Sequence, residues 1–118
     1  MDNCIAVILP VYKNDKVPYI HLSLDSILNQ TYKNIHLYVG VDGPVGEDLE
    51  KCLQKYEQND KVMVCWFPEN RGLAIVLNDL LDVCFKAGYD IIARMDADDI
   101  SMPERIEKQV AYLESHQD

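Results

Sequence analysis

The chain has 118 residues, 48% of them hydrophobic, which suits one globular domain with a modest core and excludes a disordered segment. Acidic residues outnumber basic ones 20 to 11, for a formal net charge of −9. That excludes a basic nucleic-acid surface and an unaided electrostatic hold on anionic lipid, so an anionic ligand needs a metal ion or a local basic group.

Cys4 to Leu9 is apolar and rich in β-branched residues, which predicts a first strand ended by Pro10. From Pro18 to Gln30 the residues Ile20, Leu24, Ile27 and Leu28 recur at helical spacing, with Pro18 suited to a first turn. Ile35 to Val41 reads as a second strand, and Asp42-Gly43-Pro44 as a turn. Leu49, Cys52, Leu53 and Tyr56 form the apolar stripe of a second helix, with Glu47 and Asp48 near its positive end.

Val62 to Phe67 is the third predicted strand, followed by a turn at Asn70-Arg71-Gly72. The next helix carries Leu73, Val76, Leu77, Leu80, Leu81 and Cys84 on one face and stops at Gly88. Asp90 to Met95 is the fourth strand. Ser101-Met102-Pro103-Glu104 has capping-box spacing, so a last helix is expected to start there, with Ile106, Val110 and Leu113 as its apolar side.

Strands alternating with helices over crossovers this short imply parallel pairing and an α/β domain. Ligands of such sheets lie beyond the carboxyl ends of the strands. Tyr12 to Asp15, Asp42, Asn70, Arg71, Asp96, Asp98 and Asp99 all fall on that rim.

The cysteines at 4, 52, 65 and 84 show no paired spacing, so buried thiols in a reducing cytosol are expected rather than a zinc site or a disulfide framework. No signal peptide is visible and no apolar run has membrane-spanning length, which leads to the expectation of a soluble, cytoplasmic polypeptide. His21, His36 and His116 form no constellation and none is a candidate general base.

The apolar run through Ile91-Ile92-Ala93 stops in Asp96, Asp98 and Asp99. Crowded carboxylates repel, and a hard divalent cation such as Mg²⁺ or Mn²⁺ relieves that repulsion while holding a diphosphate. In an extended segment Asp96 and Asp98 share one side, so one can hold the cation while the other accepts a ribose hydroxyl. A solvated acidic turn is the plain alternative. Counting an EF-hand loop from Asp96 puts Glu107 at the last ligand position, but Ser101 stands where glycine is needed. Arg71 can face a nucleotide or lie exposed in its turn. Asp42 can accept from a base or ribose, or simply shape the turn before Gly43. Tyr12 offers a ring face to a base, or packs its loop.

Taken together, these segments resemble family 2 of the inverting, GT-A-type glycosyltransferases. The opening strand Val7-Ile8-Leu9-Pro10-Val11-Tyr12 and the helix exit Leu24-Asp25-Ser26-Ile27-Leu28-Asn29-Gln30-Thr31-Tyr32 carry the likeness. So do Asn70-Arg71-Gly72-Leu73-Ala74 and Ala93-Arg94-Met95-Asp96-Ala97-Asp98-Asp99, continuing through Pro103 and Arg105. The resemblance implies strand order 3-2-1-4 with helices on both faces. It implies a nucleotide-sugar donor, most often a UDP-sugar, bound with Mg²⁺ or Mn²⁺. Pro10, Tyr12, Asp42 and Arg71 would then line the base and ribose pocket, Asp96 would contact ribose, sugar or metal, and Asp98 would hold the metal.

Two departures stand out. Val41 precedes Asp42 where the family usually has a second acidic residue, and the family's catalytic base and acceptor elements lie beyond the acidic motif. Residues 1–118 are therefore expected to be the N-terminal nucleotide-sugar-binding part of a truncated glycosyltransferase domain, with no residue assigned as catalytic. The parent would serve polysaccharide synthesis on a saccharide or lipid-linked acceptor, at the inner face of the cell membrane. A non-catalytic interaction module that keeps the fold is the competing expectation. An open edge on the fourth strand is expected to favour self-association, or a tail that folds back over it. A sugar-nucleotide pyrophosphorylase of similar architecture is disfavoured because the loop after the first strand has no glycine, and a phosphoacceptor receiver domain because its first-strand acidic pair is absent.

Overall fold

The computed structural model describes residues 4–97 and 100–115. Strands β1 (Ile5–Val11), β2 (Ile35–Asp42), β3 (Val62–Phe67) and β4 (Ile91–Arg94) alternate with helices α1 (Val17–Leu28), α2 (Glu47–Glu57), α3 (Leu73–Lys86) and α4 (Arg105–Ser115). The strands are all parallel and run β3-β2-β1-β4 across the sheet, the expected order. Register runs from Ile5 opposite Ile35 to Val11 opposite Val41, and Ile5 to Ile8 face Ile91 to Arg94.

Alternation along β1 and β2 divides the core. Ile5, Val7, Leu9 and Val11, with Leu37, Val39 and Val41, pack beneath Ile20, Leu24 and Ile27 of α1, Leu49 and Leu53 of α2, and Ile106 and Val110 of α4. The opposite face, from Ala6, Ile8 and Tyr38, is covered by Val76, Leu80 and Cys84 of α3. Small residues let α3 come close: a Cβ on Gly40 would lie 2.8 Å from Val76 Cγ1.

Several boundaries differ from the sequence expectation, each for a physical reason. Pro10 lies inside β1, paired with Gly40. Ile8 C=O accepts from Met95 N–H on the β4 side; Pro10, two residues on, turns its nitrogen to that same side, past the last β4 pairing, so no ladder bond is lost there. The α3 face is narrower than the apolar pattern suggests. Val76, Leu80 and Cys84 are buried, whereas Leu73 and Leu81 are exposed.

Gly88 does end α3, at φ 93°. Its N–H reaches Phe85 C=O at 3.1 Å and Tyr89 N–H reaches Cys84 C=O at 3.2 Å, a Schellman arrangement.

Ser101 is not a helix cap. The chain makes a tight turn first, with Arg105 N–H on Met102 C=O at 3.0 Å, and α4 begins at Arg105. Gln30, just past the end of α1, supplies the cap instead: its Oε1 accepts from Ile106 N–H at 3.0 Å.

All four cysteines are free, Cys52 and Cys84 buried. His21 sits in a polar cluster between α1 and α2, 2.9 Å from Tyr56 Oη, whose hydroxyl donates to Asp25 at 2.7 Å. Burial and that bond to Asp25 push the Tyr56 hydroxyl well above the usual phenol range. Among the described residues no helix is long and apolar enough to cross a membrane.

Candidate nucleotide-sugar site

At the carboxyl ends of the strands lies a cavity of about 650 Å³, within the size range of small-molecule sites. Pro10, Val11 and Tyr12 from the end of β1 form one wall, and Asp42, Asn70 and Gly72 another. Leu73 and Val76 at the start of α3 close one side, and Asp96 and Ala97 beyond β4 complete it.

The loop after β1 folds on itself. Tyr12 N–H donates to Asp15 Oδ2 at 2.9 Å, and Asp15 N–H to Tyr12 C=O at 3.0 Å. The Tyr12 ring stays partly open to solvent at 43% exposure, so its face is available to a planar ligand.

Asp42, at the end of β2, is 5% exposed. Its Oδ1 accepts from Arg71 N–H at 2.7 Å and its Oδ2 from Gly72 N–H at 3.0 Å. The carboxylate thus holds the turn that launches α3, while each oxygen retains a second acceptor position. Gly43 and Gly72 make the turn possible at φ 83° and 97°. A Cβ on Gly43 would sit 2.6 Å from Asn70 N.

Of the residues singled out from sequence, Pro10, Tyr12, Asp42 and Asp96 come together around this one cavity. Arg71 is not among the lining residues: its backbone N–H holds Asp42, and its guanidinium turns toward α3. It pairs with Asp79 and lies 5.4 Å from the centroid of the Phe67 ring. Asp96 Oδ1 pairs with Arg94 at 3.3 Å. Asp98, the proposed metal ligand, and Asp99 lie outside the described residues. Among the described residues no group of three or more His, Cys, Asp or Glu side chains is arranged to hold a metal ion.

The lining is electrostatically one-sided, with Asp15, Asp42 and Asp96 against the single cation Lys13. A diphosphate entering unaccompanied would meet net repulsion. Mg²⁺ and Mn²⁺ need only one or two protein carboxylates when phosphates and water complete the shell. Asp96, on the lining, is one such carboxylate.

Sequence reasoning passed over the residues that hold the acidic segment in place. Ser23 on α1 and Gln30 just past its end are both buried. The Ser23 hydroxyl donates to Ala97 C=O at 2.6 Å, Ser26 Oγ accepts from Ser101 N–H at 3.0 Å, and Gln30 Nε2 donates to Met102 C=O at 2.7 Å. Their signal was polar residues on the helix's apolar side. From the other flank Arg105 donates to Ser101 Oγ at 2.8 Å and to Arg94 C=O at 3.0 Å.

A parallel sheet in this order, covered by helices on both faces, is an α/β fold of GT-A type. Residues 6–118 match the model of glycosyl transferase family 2, and the chain belongs to that family. It is 39% identical over 109 residues to the O-antigen biosynthesis glycosyltransferase WbnJ of Escherichia coli, covering 92% of this chain and 41% of that protein. It is 33% identical over 111 residues to the amylovoran biosynthesis glycosyltransferase AmsE of Erwinia amylovora, covering 94% and 41%. The chain therefore spans about two fifths of the length of these relatives.

Its fold is also that of S. aureus TarS 1-349 in complex with UDP-GlcNAc, with TM-score 0.80, 22% identity, and coverage of 95% of this chain and 31% of that one. The mannosyltransferase PcManGT from Pyrobaculum calidifontis, in complex with GDP-Man and Mn²⁺, gives TM-score 0.71 at 22% identity, covering 95% and 32%.

Proposed function

We propose that this cavity receives the nucleoside diphosphate of a nucleotide-sugar, most often a UDP-sugar, together with Mg²⁺ or Mn²⁺. The whole protein would transfer the sugar to a saccharide or lipid-linked saccharide acceptor in bacterial polysaccharide synthesis. The observation that carries the reading is the gathering of Pro10, Tyr12, Asp42 and Asp96 around one cavity at the carboxyl rim. It is supported by fold neighbours in complex with UDP-GlcNAc, and with GDP-Man and Mn²⁺, and by relatives named for O-antigen and amylovoran biosynthesis.

In this reading the Tyr12 ring and Pro10 flank the base, and Asp42 accepts from a base N–H or a ribose hydroxyl through its remaining acceptor positions. Arg71 reaches the nucleotide by exchanging Asp79; both side chains of that pair are more than a third exposed, so the exchange costs little. Asp96 and Asp98 hold the cation, with Asp96 also within the ribose region. When bound, the cation supplies charge neutralisation to the departing diphosphate. Inversion by in-line attack of an acceptor hydroxyl belongs to the whole protein, and the carboxylate that takes the hydroxyl's proton is assigned to none of the acidic residues present. The 118-residue chain is thus proposed to bind donor without transferring sugar. The second edge of β4, and the groove beside it lined by Ile91, Ala93, Ile106, Val110 and Leu113, are proposed to support self-association, and the whole protein is proposed to lie peripherally at the inner face of the cell membrane.

Titration calorimetry with UDP, with and without Mn²⁺, tests the proposal. Mn²⁺ is expected to strengthen UDP binding, and that metal-dependent gain to be lost in Asp98→Ala. Absence of heat at millimolar UDP and Mn²⁺ on folded wild-type chain would overturn it and favour a non-catalytic module.

A further inference from the structure

The acidic segment is tied to α1 at two points, one on each side of Asp98 and Asp99. Before them, the Ser23 hydroxyl, fully buried, donates to Ala97 C=O at 2.6 Å. After them, Ser26 Oγ accepts from Ser101 N–H at 3.0 Å while its own proton goes to Ser23 C=O at 2.7 Å. The serines stand three residues apart, so they share a face of the helix. That face packs directly on the sheet through Ile20, Leu24 and Ile27.

We propose that Ser23 and Ser26 are positioning residues for the metal carboxylates. They hold Ala97 C=O and Ser101 N–H against α1. Neither serine is among the residues lining the cavity, so each acts through the backbone it holds. The inference rests on the metal–nucleotide reading above, and it makes a claim that the reading does not. Loss of a hydroxyl on α1 should weaken the metal-dependent part of UDP binding and leave the metal-independent part alone. Supporting groups behind metal ligands commonly affect affinity tenfold or more.

The variants are Ser23→Ala and Ser26→Ala, with Thr31→Val as a control. Thr31, just past α1, has its hydroxyl 2.7 Å from Glu107 and 3.1 Å from Pro103 C=O, so it ties the helix exit to α4 and to the turn before it rather than to residues 96–102. Amide hydrogen exchange without ligand reads the anchoring itself. Exchange across residues 96–102 should accelerate at least tenfold in the serine variants, with the β1 and β2 amides unchanged, and should stay as in wild type in Thr31→Val. Titration of UDP should show a roughly tenfold loss of the Mn²⁺-dependent increment in the serine variants, and none in the control.

Unchanged exchange over residues 96–102 in both serine variants would overturn the inference, whatever the nucleotide data. So would a serine variant whose Mn²⁺ increment matches wild type. A wild-type chain with no Mn²⁺ increment sinks the metal–nucleotide reading, and with it the role of these serines toward the cation, while exchange still decides whether they anchor the loop. If a serine variant unfolds, the double-hydroxyl comparison moves to Ser23→Thr, which keeps the donor and should restore wild-type exchange.

Discussion

Replacing Gln30 with leucine probes the joint between α1 and the acidic segment. The side chain is 1% exposed and uses every polar atom: Nε2 donates to Ser26 C=O at 2.9 Å and to Met102 C=O at 2.7 Å, and Oε1 accepts from Ile106 N–H at 3.0 Å. Leucine is similar in size but leaves all three backbone groups without this partner. A buried group left unsatisfied costs about 1–3 kcal/mol. The Ile106 N–H bond is wholly buried, whereas the two carbonyls lie where water can partly replace the amide. The expected destabilisation is therefore about 2–4 kcal/mol, a large part of the roughly 5–15 kcal/mol that holds a small domain together. Urea unfolding followed by far-ultraviolet circular dichroism measures it, and an unchanged denaturant slope separates it from a change in compactness. Hydrogen exchange should accelerate first in the opening turn of α4. A loss below about 0.5 kcal/mol, with that turn as protected as before, would refute the assignment of Gln30 as its cap.

Asp42→Asn should destabilise by about 1–3 kcal/mol and weaken UDP binding, because an amide offers one acceptor oxygen where Arg71 and Gly72 N–H use two; urea unfolding and calorimetry check both parts. Gly43→Ala should cost a further 1–3 kcal/mol or so, since the added methyl meets Asn70 N at 2.6 Å on a residue at φ 83°; thermal unfolding measures it. Stability should also fall at alkaline pH. Burial, reinforced by Cys65, pushes the Cys84 thiol from 9.0 up to about 11. The folded state keeps that proton after the unfolded state has lost it, so the contribution is complete below pH 9.0 and disappears as pH approaches about 11. Unfolding curves of wild type and Cys84→Ala across that window should converge as the pH rises, and parallel curves would contradict the assignment.

Where one local signal acted alone, the sequence was easy to read. Val62 to Phe67 forms β3 with the expected bounds, and Gly88 stops α3 because no other residue accepts φ 93° without strain. The strand order came from family likeness rather than periodicity, since apolar runs do not state their neighbours. Misreadings occurred where a tertiary partner outbid a local motif. Ser101 has capping-box spacing, yet its hydroxyl serves Arg105 and its N–H serves Ser26, so the cap passes to Gln30, a residue 76 positions away from its Ile106 partner. Pro10, Tyr12, Asp42 and Asp96 were picked out by rim position and residue type, and they line the cavity. The turn of the Arg71 guanidinium toward α3 was not legible, because it depends on Asp79 and Phe67.

The most direct test is a crystal of the chain grown with UDP and Mn²⁺, read by anomalous scattering. The account predicts a manganese peak bonded to the Asp98 carboxylate, with or without Asp96, and the diphosphate of UDP on the same ion, its uracil between Tyr12 and Asp42. Nucleotide bound elsewhere, or this cavity free of manganese with UDP present in excess, would contradict it.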